Sequence, residues 1–113
     1  MLRKDLTQLV RFSPDGPNNQ TLFEGEHLWS QVVCLDRAQR VGPITDMDSD
    51  GLFLVLAGEV AVQVNRDRKR VGQWACVLVP AGDEISLANA SQEPAVILVV
   101  AAPPPTARPV VET

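Results

Sequence analysis

Histidine and tyrosine are the residues this chain most lacks. One histidine, His27, stands in 113 residues, and there is no tyrosine at all. A three-histidine metal centre cannot be built from one imidazole, and neither can a catalytic histidine pair. Cysteine is nearly as scarce. Cys34 and Cys76 have no Cys-x-x-Cys partners and sit inside apolar runs, so both read as reduced core residues rather than a disulfide framework. Positive charge is outweighed: 10 Lys and Arg against 14 Asp and Glu leave a net charge of −4. That sign opposes phosphate backbones and anionic lipid, so neither a nucleic-acid nor a membrane partner is expected. The longest apolar run, Ala95 to Ala102, is too short to span a bilayer. No basic segment leads into an apolar stretch at the N-terminus, and a cytoplasmic location is expected.

What is present points to a single β domain. Apolar residues make up 45% of the chain and charged residues 21%, the balance of a globular protein. Leu2, Leu6, Leu9 and Val10 suit a helical turn or an arm, and Ser13 to Asn19 is a cluster of turn formers. Beyond it, short apolar runs recur between Gly, Pro, Asn and Asp: Trp29–Leu35, Leu52–Leu56, Val60–Val64, Ala75–Val79, Ile85–Ala88 and Ala95–Ala101. Many short strands at such spacing predict a sandwich or barrel. The basic stretch Asn65 to Arg70 reads as a solvated hairpin tip whose charges discourage edge pairing. The chain divides into an arm and loop over 1–20, a β-barrel over 21–102 and a proline-rich tail over 103–113.

Two phrases carry a family resemblance. Val55-Leu56-Ala57-Gly58-Glu59 matches the end of an E-x-x-x-V-L-x-G motif, and Pro80-Ala81-Gly82 followed by Asn89 matches P-x-G-x-x-H-x-x-x-N. Together they resemble the cupin family over more than half of the chain. The resemblance implies an all-β double-stranded β-helix, or jelly roll, whose motif strands face each other around a metal. In this chain the metal-binding Glu of that family falls on Gly51 and its last His on Ile85. The remaining two fall on Ile44 and Asp46 or on Thr45 and Met47. Isoleucine and glycine side chains cannot ligate a transition metal, so no metal, no cofactor and no catalytic residue are expected. Asp46-Met47-Asp48-Ser49-Asp50-Gly51 opens like a calcium loop, but Ala57 occupies the position that must supply a bidentate Glu.

With two-residue alternation, Gly51, Phe53 and Val55 point inward, as do Ile85, Leu87 and Asn89. Joined by Thr45, Met47 and Trp74, they make an apolar cup suited to a small molecule. Trp29 is a second rim candidate. The outer faces of Leu52-Leu54-Leu56 and Val96-Leu98-Val100 need cover, which predicts a homodimer. The expected role is therefore non-enzymatic: binding a small molecule, or serving as a dimeric interaction module. The alternative is a cupin-type dioxygenase, isomerase or lyase. It would use an unusual site of His27, Asp46 and Glu84, or a carboxylate from Asp83 or Glu84.

Overall fold

Every apolar run becomes a strand in the computed structural model, which describes residues 1–105. In chain order the strands are β1 (Asn18–Glu24), β2 (Trp29–Leu35), β3 (Arg40–Thr45), β4 (Asp50–Ala57), β5 (Glu59–Val64), β6 (Asp67–Gly72), β7 (Cys76–Val79), β8 (Glu84–Ala88) and β9 (Ala95–Ala102). All pairings are antiparallel. They build two sheets, ordered β1-β2-β9-β4-β7 and β3-β8-β5-β6. This is an all-β jelly roll. The helical turn anticipated near the N-terminus is a single 3-10 turn, Leu6–Gln8, capped by the Asp5 carboxylate accepting from the Thr7 N–H at 3.0 Å. No helix among the described residues is long and apolar enough to cross a membrane.

The core follows from the two-residue period. Trp29, Val33 and Leu35 of β2, Val55 of β4 and Ile97 and Val99 of β9 meet Val60 and Val62 of β5 and Ile85 and Leu87 of β8 between the sheets. Leu35 and Ile97 are fully buried, and each such side chain contributes about 1.5–3 kcal/mol of transfer free energy. Between β4 and β5 the chain turns at Gly58, whose backbone takes φ +78 to pass close against Pro94 and Ala95.

The outer face of the five-stranded sheet is covered over only part of its area. Leu6, Leu9 and Val10 of the arm lie on Val32, Cys34 and Val96, together with Leu56 and Ala57. Burial there pushes the Cys34 thiol upward from its ordinary value, opposed by a backbone hydrogen bond from Arg11. On the other part, Leu52 lies opposite Leu78 on one side and Val100 on the other. Leu78 is 64% exposed and Trp74, in the adjoining turn, 71%. Cys76 is exposed on the same strand as Leu78, and both cysteines are free thiols.

Three strands depart from the sequence expectation. β1 begins at Asn18, inside the segment read as arm and loop, because Asn18, Asn19 and Gln20 pair with Cys34, Val33 and Val32. β3 was not anticipated. β6 runs through the basic stretch: the hairpin tip is only Asn65 and Arg66, and Asp67–Gly72 pairs with β5 along its whole length. Of the tail, Pro103 to Pro105 are described, and the rest of the segment, 106–113, lies outside the described residues.

Candidate ligand cup

Three segments meet at one end of the jelly roll. The turn after β3 is folded by Asp46, whose Oδ1 accepts from the N–H groups of Asp48 (2.8 Å) and Ser49 (3.0 Å). The turn between β7 and β8 is tied to it twice. Gly82 donates its N–H to the Asp46 carbonyl at 2.8 Å, and Ala81 donates to Asp50 Oδ1 at 2.8 Å. The Ser49 hydroxyl then donates to the carbonyl of Pro103, which holds the proline segment across this end and brings Pro105 to the cavity wall.

Beneath these turns lies a cavity of about 50 Å³. Its inner wall is hydrocarbon and aromatic: Trp29, Ile44, Phe53, Ile85, Val99 and Ala101. Asp46, Asp50 and Asp83 also contribute to its lining. Among the described residues, the indole Nε1–H of Trp29 is the buried side-chain nitrogen or oxygen left without a hydrogen-bond partner. Trp29 is only 2% exposed, so that donor has given up water and received nothing in exchange, at a cost of about 1–3 kcal/mol.

No protein-family model matches the sequence, and no curated protein matches it either. Solved structures do. TT1209 from Thermus thermophilus is 30% identical, with a TM-score of 0.87 over 91% of this chain and 98% of that one. An uncharacterized conserved protein with a double-stranded β-helix domain from Klebsiella pneumoniae superposes at a TM-score of 0.88, covering 98% of this chain and 97% of the other at 16% identity. The Cnp3 cupin domain of Schizosaccharomyces pombe superposes at 0.74 with 22% identity; 77% of this chain is covered, spanning 61% of that one. The chain has the cupin fold.

The metal positions of a cupin can now be tested against the donors this cupin has. Ile44 and Ile85 face each other across β3 and β8, and neither offers a donor atom. Gly51 has no side chain, and the space beside it is taken: a Cβ built there would lie 2.9 Å from Cε1 of the Phe53 ring. Asp46 is the remaining candidate, and its Oδ1 is already committed to two backbone N–H groups. Among the described residues no three His, Cys, Asp or Glu side chains are grouped so as to hold a metal. The donor set does not fit a transition metal. His27 and Glu84 do not join Asp46: His27 is exposed beside Glu26, and Glu84 is exposed while its neighbour Asp83 reaches the cup.

Of the residues proposed from sequence for the cup, Gly51, Phe53 and Ile85 line this cavity. Val55 and Leu87 share their inward face but lie in the packed core. Asn89 is buried and bonded to backbone, donating to the carbonyls of Leu35 and Glu93. Thr45 and Met47 are exposed, because an irregularity between Val41 and Ile44 shifts the register of β3 and turns Ile44 and Asp46 to the cup instead. Trp74 is outside it as well, carried on a turn with φ +72. Trp29, Val99 and Ala101 are the wall residues that alternation within the two motifs does not find. Trp29 was legible only as a rim candidate, and its place depends on pairing with Ala101 of β9.

Proposed function

We propose that this cupin is a binding protein that holds a small organic molecule in its cup without a metal. The observation that carries the reading is the cavity itself, walled by Trp29, Ile44, Phe53, Ile85, Val99 and Ala101, with Asp46, Asp50 and Asp83 also in its lining. Small-molecule sites have this composition, mostly apolar with few polar groups that set orientation. The two unpaired thiols fit a reducing compartment, and we place the protein in the cytoplasm. The test is a thermal-shift screen of small metabolites on the full chain. A ligand at about 100 times its Kd adds about 2.7 kcal/mol, which raises Tm by about 10 °C or more in a domain of this size. Ala101→Leu, which fills the cavity from β9, is expected to abolish the shift. Stoichiometric Fe, Mn, Ni or Zn in chelator-free protein, with an activity lost on chelation, would replace this reading by the enzyme alternative.

A second reading rests on a separate observation, the uncovered face of Leu52, Leu54, Leu78, Leu98 and Val100. We propose that a second copy of this chain covers it, since one apolar patch meeting its own image satisfies a two-fold interface. Sedimentation is expected to give a dimer for the native chain and a monomer for Leu78→Glu. In the dimer Cys76 becomes protected from thiol reagents, whereas in the monomeric variant it reacts at once. A native chain that sediments as a monomer at all concentrations would refute the second reading.

A further inference from the structure

The outer face of the four-stranded sheet carries a second concavity. We infer that it binds a small dianion, a phosphate or a short dicarboxylate, between Arg40 and Arg68. The inference is independent of the cup, which lies on the other face of this sheet. Alternation sends Val62, Ile85 and Leu87 into the core and leaves Ala61, Gln63, Ser86 and Ala88 facing out. Register adds the two edges: Arg40 of β3 lies beside Ala88, and Arg68 of β6 lies beside Gln63. Both arginines are exposed, one at each margin of the sheet.

The groove between them has a floor of small residues. Ala61 is only 7% exposed although it belongs to the outward set, so the floor lies below its surroundings. On the β3 side, the irregularity between Val41 and Ile44 places Gly42 and Pro43 at the level of Ser86. Gly42 takes φ +98 and runs so close to β8 that a Cβ would lie 2.7 Å from the Ile85 carbonyl oxygen. It therefore adds no side chain to the space beside Ser86. The result is an open groove of about 170 Å³ that Arg40, Arg68, Ser86 and Gln63 all line. At about 10–15 Å³ for each water-sized centre, it admits a molecule of roughly ten non-hydrogen atoms.

Charge sets the ligand. The chain carries 14 acidic residues against 10 basic ones, yet among the described residues no carboxylate lines this groove. Arg70, on the same face, is paired with Glu59 at 2.8 Å. Among the described residues Arg40 and Arg68 have no such partner. Glu84 shares the face two residues before Ser86 but stands outside the lining. Edge protection asks for a charge at each margin, not for two unpaired cations over one depression. Two guanidinium groups on one space favour two negative charges over one, and their planar forks match phosphate and carboxylate oxygens. The Ser86 hydroxyl adds a neutral donor, while the Gln63 amide nitrogen already donates to the Asn65 carbonyl at 3.1 Å. Among the described residues no aromatic ring lines the groove, so a nucleobase finds nothing to stack on.

The experiment titrates inorganic phosphate, succinate and acetate into the full-length, isotope-labelled chain, at a pH where phosphate is doubly charged. An ionic strength of about 0.01 M keeps the screening length near 30 Å. The backbone amides of Ala61, Ser86 and Ala88 are followed by NMR, with Val99 in the cup as the reference that stays still. Phosphate and succinate are expected to saturate in the low millimolar range, and acetate to bind about tenfold more weakly. Arg40→Gln and Arg68→Gln each weaken the dianion about fivefold and remove its advantage over acetate. Arg66→Gln, at the hairpin tip outside the groove, deletes the same charge and should change Kd by less than about twofold. Phosphate binding without succinate narrows the class to phosphates, and the reverse to dicarboxylates; either supports the site. Acetate equalling the dianions, or Arg66→Gln losing as much as the groove variants, would overturn it. So would groove amides that none of the three probes moves. The native titration decides alone if a variant does not fold.

Discussion

Gly58→Ala is expected to cost about 3 kcal/mol of stability, read as a fall in the denaturant midpoint at unchanged slope. Gly58 sits at φ +78, in the left-handed region that strains any side chain. A methyl group there would also lie 2.5 Å from the carbonyl oxygen of Pro94 and 2.9 Å from Cα of Ala95. Both are backbone atoms, so no rotamer change relieves the contact, and β9 would have to withdraw from the turn. Gly72→Ala is the matched control. Among the described residues nothing lies within 4 Å of a Cβ at that position, and its effect should stay within about 0.5 kcal/mol. Equal effects for the two substitutions would show that close approach at Gly58 does not stabilise the fold.

The second large effect is expected at Asn89. Its side-chain amide donates to the carbonyls of Leu35 (3.0 Å) and Glu93 (2.8 Å) and accepts from the N–H and hydroxyl of Ser91. Asn89 is 1% exposed, so water cannot replace what is removed. Asn89→Ala strands two carbonyls and should cost about 2–4 kcal/mol. Asn89→Asp adds a pH signature. The new carboxyl faces two carbonyl oxygens and is buried, which favours its neutral form and raises its folded pKa above the unfolded value of about 3.9. Its stability is therefore greatest below that value and falls as pH rises through the folded pKa. Urea titrations of the variant at acid and neutral pH check the sign; a variant more stable at neutral pH would contradict it.

Which strands could be read from the sequence follows from where they sit in the sheets. β2, β4, β5, β8 and β9 are interior strands, flanked on both sides, and their side chains are apolar enough to stand out. β1, β3 and β6 are edge strands, and they carry the polar and charged residues that keep edges from pairing with other molecules. Asp67-Arg68-Lys69-Arg70 therefore looks like loop although only Val71 and its partners hold it to the core. β7 is the fourth edge, and it was legible because Cys76 and Leu78 keep an apolar outer face.

The cup was readable to the same depth. Parity along β4 and β8 brought Gly51, Phe53 and Ile85 to one wall. Parity does not report depth, however, which is why Val55, Leu87 and Asn89 share that face and belong to core and turn. On β3 the shift between Val41 and Ile44 reverses parity, a change no alternation rule anticipates. Trp29, Val99 and Ala101 come from strands far apart in sequence, and only their cross-strand register brings them together.

With tyrosine absent, the two indoles dominate the near-ultraviolet emission of this chain. Trp29 is sealed in the cup and Trp74 stands in solvent beside the bare outer face. Their emission should separate into a short-wavelength and a long-wavelength component. Occupancy of the cup would alter the first, and covering of the outer face would shift the second. The fold thus carries its own pair of optical labels, one for each surface, and neither requires a dye.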